Sequence, residues 1–276
     1  MFWTRLLSGI VLLAIALATF SFGNVFLAVP LWLISLIAYR ELTKALKCAT
    51  DEEKNLIALE WIGFVGVTAY YATLFFTRDH TLLLMCIVAL FMAEMFCYVA
   101  AFPKYQASQV MAAVFSFLYA PVLLSFVYLT RECETGIYLV WLILISSWGC
   151  DTCAYVVGKL IGKKHIFPEL SPHKSLEGCI GGVAGAALIG GLYAHFFVEA
   201  AFPDQIITWT IAFICAAGAV MSMVGDLAAS AIKRNHNIKD YGKLIPGHGG
   251  IMDRFDSMTV TAPMTYFLAI LMIGLR

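Results

Sequence analysis

The sequence predicts an all-α polytopic membrane protein with about nine transmembrane helices. Of its 276 residues, 61% are hydrophobic and only 13% are charged, and the mean hydropathy is +0.85. An average soluble domain carries about 25% charged residues, so composition excludes that class. The apolar residues also fall into runs that approach or reach the roughly 20 residues needed to cross a bilayer.

The predicted spans follow one another with short polar connections. They cover residues 6–22, 25–39, 56–76, 81–101, 107–129, 136–158, 178–198, 206–225 and 257–275. Only Gly23 and Asn24 separate the first two spans, which indicates a tight helical hairpin. Because a second apolar run follows so closely, we expect no cleaved signal peptide at the start of the chain.

The basic residues predict the orientation of these spans. With the N-terminus in the cytoplasm, 15 of the 18 Lys and Arg residues fall on the cytoplasmic side, leaving Arg78, Arg131 and Arg276 outside. Short cytoplasmic loops carry such an excess of positive charge. The formal net charge is zero, so no overall basic field favours nucleic acid as a partner.

The eight cysteines lie mostly in apolar runs, where cysteine behaves as a small hydrophobic residue. We therefore expect no disulfide framework. Cys150 and Cys153 form a CxxC pair, but neither a second pair nor a histidine cluster accompanies it, so helical packing is the better interpretation.

The most informative segment lies between the last two predicted spans, at residues 230–256, and is called the signature segment below. It reads SAIKRNHNIKDYGKLIPGHGGIMDRFD. Its cations could neutralise anionic groups, and its aspartates, with Asp226 just upstream, are candidate metal ligands. The cations are Lys233, Arg234, Lys239, Lys243 and Arg254, and the aspartates are Asp240, Asp253 and Asp256. Together they suit a metal-chelated polyphosphate.

If the eighth span continues as a helix, Asp226, Ser230, Lys233 and Arg234 lie on one face, where they could hold a metal ion and a phosphate together. A solvated helix end is the alternative. Asp253 and Asp256 lie at the start of the ninth span, where helix capping explains one carboxylate better than two. Mg²⁺ favours one or two carboxylates plus phosphate oxygens, so Asp226 and Asp253 are the predicted metal ligands.

A glycine-rich turn precedes the ninth span. Gly247, Gly249 and Gly250 would let backbone amides approach an anion near a helix N-terminus. His248 could donate a hydrogen bond to phosphate or to the loop backbone, and the sequence does not choose between them.

Two further places carry candidate residues. Before the seventh span, Lys174 and Ser175 could bind phosphate, with an ordinary basic loop and a Ser175 helix cap as the alternative. Asp151 and Glu94 lie inside predicted spans, where carboxylates are costly and commonly functional. No motif surrounds Glu94, which leaves a role as an interhelical hydrogen-bond partner open.

Three of these stretches, in this order, resemble the phosphatidate cytidylyltransferase (CDP-diacylglycerol synthase) family. They are Asp-x-x-Ala-Tyr at Asp151, Ser-Pro-x-Lys-Ser-x-x-Gly from Ser171, and the signature segment itself, which matches the family pattern without departure. The N-terminal half is similar by hydropathy only. We thus expect one membrane-embedded catalytic domain over residues 1–276, with N-terminal helices in 1–130 and the motifs in 136–276.

The resemblance implies transfer of a cytidylyl group from CTP to phosphatidic acid in phospholipid biosynthesis. It implies Mg²⁺, with a second cation left open, a homodimer, and a site at the cytoplasmic face of a bacterial inner membrane. The implied catalytic residues are Asp151, Asp226, Lys233, Arg234, Lys239, Asp240, His248, Asp253, Arg254 and Asp256. The implied substrate-binding residues are Ser171, Lys174, Ser175, Ser230, Gly247, Gly249 and Gly250.

Other functions are open at this point. A CTP-dependent polyprenol kinase would use similar loops. A transporter would also place carboxylates within the membrane, but it gives no reason for polyphosphate-type loops on one face, and the chain has no internal repeat. The motif of the CDP-alcohol phosphatidyltransferases is absent.

Overall fold

The computed structural model describes residues 2–49, 55–172, 174–202, 207–244 and 249–274. These residues form helices connected by loops, with no β-strand in the described ranges, and His165 and Ser175 form an isolated antiparallel bridge. The helical segments are α1 Phe2–Phe22, α2 Asn24–Ala45, α3 Ala58–Phe76, α4 His80–Ala100, α5 Ala107–Glu132, α6 Gly136–Ile161, α7 Leu176–Ala201, α8 Ile207–Asn235 and α9 Met252–Ile273.

The segments α2 to α9 are long and apolar enough to cross a membrane, which makes 8 candidate spans among the described residues. In α1, only the shorter stretch Leu13–Phe22 has that character. The prediction of an all-α polytopic membrane protein is therefore confirmed, and the predicted number of about nine spans is close.

Three helices extend furthest beyond their predicted apolar spans. Helix α2 ends at Ala45 instead of residue 39, α8 ends at Asn235 instead of 225, and α9 begins at Met252 instead of 257. Hydropathy marks the part of a helix that suits lipid, whereas backbone hydrogen bonding continues into polar residues at the interface. As a consequence, the polar residues of α8 and α9 stand on regular helix.

Three of the long helices contain a π-helical turn, at Leu118–Val122, Ile145–Gly149 and Ala194–Val198. Such turns insert one extra residue into a helix and are frequent at functional sites. The turn in α6 ends two residues before Asp151 and so changes the face on which that carboxylate emerges.

The chain divides into two compact units. Unit 1 contains residues 1–125 and 235–254, and unit 2 contains residues 126–234 and 255–276. The signature segment thus begins and ends in unit 2, while its middle belongs to unit 1. The single catalytic domain expected from the sequence stays a prediction.

In unit 1, polar contacts join α2 to α3. The Glu60 carboxylate accepts hydrogen bonds from Arg40 and Thr43 and from the backbone N–H of Ile57. Glu94 of α4 is fully buried, and neither of its oxygens has a hydrogen-bond partner in the described part of the chain. The interhelical hydrogen bond considered for Glu94 is therefore not found there.

In unit 2, glycines allow α7 to lie close to α6. A Cβ added at Gly182 would stand 2.9 Å from the Cys150 sulfur, and one at Gly178 would stand 2.9 Å from the Ala154 carbonyl oxygen. All eight cysteines are free thiols, including Cys150 and Cys153. These glycines set the distance between α6 and α7, which the loop at residues 162–175 connects.

Candidate active site

The loop at residues 162–175, called the lysine loop below, connects α6 to α7. Its two ends lie side by side, with the Leu176 N–H donating to the Lys164 carbonyl over 2.8 Å. The Glu177 carboxylate accepts the backbone N–H groups of Lys163 at 3.0 Å and Lys164 at 3.2 Å. These contacts hold the loop against the first turn of α7.

The Ser175 hydroxyl caps α7 by accepting the Gly178 N–H at 3.1 Å. The capping alternative for Ser175 is therefore found in the structure. The side chain lies against the α6 end, because a Cβ at Gly158 would stand 3.2 Å from its oxygen. Ser171 lies in the turn before it and accepts the Lys174 N–H through its carbonyl at 3.2 Å.

Lys174 points from the lysine loop to α8. Its ammonium lies 2.5 Å from an Asp226 carboxylate oxygen, and the two side chains are 19% and 32% exposed. The sequence predicted a role for each residue but not their pairing. A predicted phosphate-binding cation and a predicted metal ligand, from separate motifs, thus form an ion pair in unit 2.

A cavity of about 190 Å³ opens beside this ion pair. Lys174, Ser175 and Asp151 contribute its polar wall, and the remaining lining residues are Ala154, Tyr155, Gly178, Cys179 and Met223. Asp151 is exposed to this cavity although it lies within a membrane-spanning helix. The cavity therefore gathers residues from the first two motifs.

The face of α8 predicted from the sequence is present, because the helix continues unbroken through Arg234. Lys233 and Ser230 are half-buried and Arg234 is exposed. Asp256 of α9 is 7% exposed and interacts electrostatically with Asp226, Lys233 and Asp151. Asp256 is therefore a member of the same charged cluster.

In unit 1, Asp253 organises the middle of the signature segment. One oxygen of its carboxylate accepts the backbone N–H of Tyr241 at 2.8 Å and that of Gly250 at 2.9 Å. Gly249, between them, has φ +84°, a conformation that favours glycine. Asp253 thus closes the loop that precedes α9, and Arg254 beside it is half-buried.

Glu41 of α2 is a site residue that sequence reasoning missed. Its carboxylate, 8% exposed, accepts the N–H groups of Ile251 at 3.1 Å and Met252 at 2.8 Å. Hydropathy placed Glu41 just after a span ending at residue 39, where it resembled an ordinary loop acid. The available signal was an acid directly after an apolar run, which is too common to single out.

Other predicted residues are less constrained. Lys239 and Asp240 are exposed. Gly247 and His248 lie outside the described residues, so their roles stay predictions. Asp253 belongs to unit 1 and Asp226 to unit 2, and their pairing on one metal ion also stays a prediction.

The donor groups suit a hard cation. Within the described ranges, no group of three or more His, Cys, Asp or Glu side chains is arranged for a metal ion. Mg²⁺ needs only one or two carboxylates when phosphate oxygens and waters complete its shell. Asp226 and Asp256 supply carboxylate oxygens in unit 2, and this fits a metal ion that arrives with a polyphosphate.

Comparison with known proteins places the chain in a protein family. A model described as the cytidylyltransferase family matches residues 3–272. The chain belongs to the cytidylyltransferase family.

Its relatives include proteins named phosphatidate cytidylyltransferase. The one from Haemophilus influenzae is 38% identical over 139 residues, or 50% of this chain and 48% of the relative. The one from Bacillus subtilis is 36% identical over 135 residues, or 49% and 48%. The chain thus spans about half the length of these relatives. A relative from Staphylococcus haemolyticus is 27% identical over 275 residues, or 97% of this chain and 99% of the relative.

Proposed function

We propose that the protein transfers the cytidylyl group of CTP to phosphatidic acid, giving CDP-diacylglycerol and pyrophosphate in phospholipid biosynthesis. The observation that carries the proposal is the Lys174–Asp226 ion pair beside a cavity, in a chain of the cytidylyltransferase family. The proteins named phosphatidate cytidylyltransferase among its relatives favour phosphatidate as the acceptor.

The ion pair suits a substrate that carries both phosphate and metal. A chelated triphosphate offers anionic oxygens to the Lys174 ammonium and a cation to the Asp226 carboxylate, so each partner can exchange the other for the substrate. The Asp226 side chain is 32% exposed whereas the Lys174 nitrogen is buried, so the substrate would reach the pair from the Asp226 side.

The reaction is an in-line displacement at phosphorus. An oxygen of the phosphatidate phosphate attacks the α-phosphorus of CTP, and the bond from that phosphorus to the oxygen bridging to the β-phosphate breaks. Because the second pKa of a phosphate monoester is about 6, the attacking oxygen is already ionised near neutral pH and needs no general base. Catalysis then depends on positioning and charge neutralisation.

Several side chains would neutralise the phosphates, namely Lys174, Lys233, Arg234, Lys239 and Arg254. Mg²⁺, held by Asp226 and by the predicted partner Asp253, would draw negative charge from the triphosphate oxygens. Ser175 would orient a phosphate oxygen at the N-terminus of α7, and the glycine turn at Gly247 and Gly249 would offer a second anion contact. A second cation is compatible with the additional carboxylates of Asp151 and Asp256.

We place the site at the cytoplasmic face of a bacterial inner membrane, with the N-terminus inside, because the basic residues favour that orientation. There, soluble CTP meets a lipid headgroup. A homodimer is also proposed from the family resemblance. Gly181 and Gly185 contact Val157 and Cys153 of the same chain, so a dimer would use another face.

The test uses purified full-length protein with phosphatidic acid and CTP labelled on either the α- or the γ-phosphate. Appearance of the α-label in lipid, together with pyrophosphate, is the expected result. Transfer of the γ-label would identify a lipid kinase, and the absence of both would favour a transporter. The Asp226→Asn variant is the matched negative control.

A further inference from the structure

The carboxylate of Glu41 is enclosed by the signature segment. It accepts the N–H groups of Ile251, directly before α9, and of Met252, the first residue of α9, although Glu41 lies 210 residues before Ile251. The N-terminal N–H groups of a helix lack partners within the helix and carry partial positive charge. A buried anion from another helix therefore anchors the start of α9.

Two glycines of the signature segment leave room for this carboxylate. A Cβ added at Gly250 would meet only Glu41 atoms among its three nearest neighbours, with the carboxyl carbon at 2.6 Å. A Cβ at Gly242 would also contact the Glu41 carboxylate. Neither glycine has a positive φ, so the backbone itself would accept alanine at both positions. Glu41 accounts for glycine at Gly250.

Asp253 also contacts the glycine-rich loop before α9. Its carboxylate links the amides of Tyr241 and Gly250 and so joins the two ends of the glycine-rich loop. Gly250 lies between the two carboxylates, since its N–H donates to Asp253 and its Cα hydrogens face Glu41. A movement of Glu41 would therefore change the position of Gly250 and, through it, the orientation of Asp253.

We propose that Glu41 is a positioning residue for cytidylyl transfer, which sets the orientation of Asp253 and of the loop amides before α9. The inference rests on the proposed function for its kinetic consequence. It assigns a direct part in building the site to the N-terminal half, in which the sequence shows none of the three motifs.

The kinetic test measures kcat and KM for CTP in the full-length protein at saturating phosphatidic acid. Glu41→Gln keeps the shape of the side chain but removes its charge, and we expect KM for CTP to rise about tenfold or more. The matched control is Glu60→Gln, which alters another buried carboxylate of unit 1 that holds only α2 and α3. A purely structural effect lowers the folded fraction and hence the apparent kcat at unchanged KM.

A rescue experiment separates positioning from simple capping. Gly250→Ala should lower kcat/KM at least tenfold because its methyl group overlaps Glu41. Shortening the neighbour in the double variant Glu41→Asp/Gly250→Ala withdraws the carboxylate by one methylene and should recover most of that loss. Absence of recovery, or parental KM in Glu41→Gln, would overturn the inference.

A substrate-free measurement keeps the inference testable on its own. Lys243 is exposed in the loop, and trypsin should cleave there faster in Glu41→Gln than in the parent or in Glu60→Gln. If the parent protein transfers no cytidylyl group, the proposed function fails, and the cleavage rate alone decides whether Glu41 orders the loop before α9. Equal cleavage in Glu41→Gln and the parent would then overturn it.

Discussion

At the residue scale, carboxylates that accept two backbone amides recur through the chain. Glu177 does so in the lysine loop, Asp253 and Glu41 in the signature segment, and Asp79 at the start of α4. Such contacts stabilise the ionised form, and for exposed Asp79 the amides of Thr81 and Leu82 hold the carboxyl pKa below its usual range. A structural role for Asp253 must therefore be separated from a catalytic one.

Substitution of aspartate by asparagine separates the structural role from the catalytic one. Asp253→Asn retains an oxygen that can accept the Tyr241 and Gly250 amides but loses the negative charge, and Asp226→Asn loses the charge that pairs with Lys174. We expect both variants to insert and purify normally yet to lose nearly all cytidylyl transfer. A capping role alone would change stability by only about 0.3 to 1 kcal/mol and leave turnover intact.

Asp79→Asn is the matched control, since it changes another amide-accepting aspartate outside the motifs and should keep parental activity. If Asp226 and Asp253 act on one metal ion, the double variant should be little worse than either single variant, because groups that act together are strongly non-additive. Full activity in either single variant, or parental turnover after exhaustive chelation of Mg²⁺ and Mn²⁺, would rule out the shared metal.

The two motif lysines should differ in their contribution. Lys174→Ala and Lys239→Ala each remove a cation, and a charge-assisted phosphate contact contributes about 1.5 to 3 kcal/mol, or roughly ten- to a hundredfold in rate. We expect the larger loss for Lys174, which is 19% exposed and already placed at the cavity, whereas Lys239 is exposed. Initial rates at limiting CTP and lipid measure this.

Lys104→Ala, which removes a basic residue outside the motifs, should keep the parental rate. Activity within twofold of the parent in both motif variants would contradict phosphate binding by these lysines.

Residue types and spacing were enough to select Lys174, Ser175 and Asp151, which line one cavity, and Asp226, which pairs with Lys174. They could not reveal Glu41. Its partners are backbone N–H groups far along the chain. Because every residue except proline has a backbone N–H, no residue type signals such a contact.

At the element scale, hydropathy located the helices but not their polar ends. The extended α8 and α9 show why, since Lys233, Arg234 and Asp253 continue a helix that lipid-based criteria end earlier. The glycines of α7 permit the close approach of another helix, and in the structure that helix is α6. The sequence could not say which of these glycines face α6 and which face elsewhere.

Alanine substitutions of two α7 glycines should therefore change stability in opposite directions. In Gly182→Ala, the new Cβ lies 2.9 Å from the Cys150 sulfur, and overpacking of this kind costs about 1 to 3 kcal/mol. In Gly191→Ala, the new Cβ meets Ala212 at an ordinary 3.5 Å, and a helical Gly→Ala change without a clash stabilises by about 0.4 to 1 kcal/mol.

Thermal inactivation in detergent measures both variants, because membrane proteins commonly unfold irreversibly and their operational stability is a rate. We expect a shorter half-life for Gly182→Ala and an equal or longer one for Gly191→Ala. Equal half-lives for the two variants would contradict the close approach of α6 and α7.

At the scale of the whole molecule, composition and apolar runs predicted the class of protein, and the motifs predicted its family. The division into units could not be predicted, because it depends on which helix the middle of the signature segment contacts. That contact is specified by Glu41 and by the space at Gly242 and Gly250, not by hydropathy.

Topology can be tested after the eight native cysteines are replaced. Lys163→Cys and Lys239→Cys introduce exposed thiols in the two motif loops, and Thr77→Cys introduces one before α4. An impermeant thiol reagent applied to intact cells should label only Thr77→Cys, because the basic residues favour a cytoplasmic position for the other two. Labelling at Lys163→Cys or Lys239→Cys would put the site on the side without CTP.

The contact between Glu41 and Met252 spans 211 positions of the chain and constrains the order in which the protein matures. Helix α2 is synthesised early, and the Glu41 carboxylate has no access to these partners until the start of α9 has been synthesised. The early helices are therefore in the bilayer long before unit 1 is complete, and truncations before residue 251 should leave a chain that inserts but never reaches its final packing.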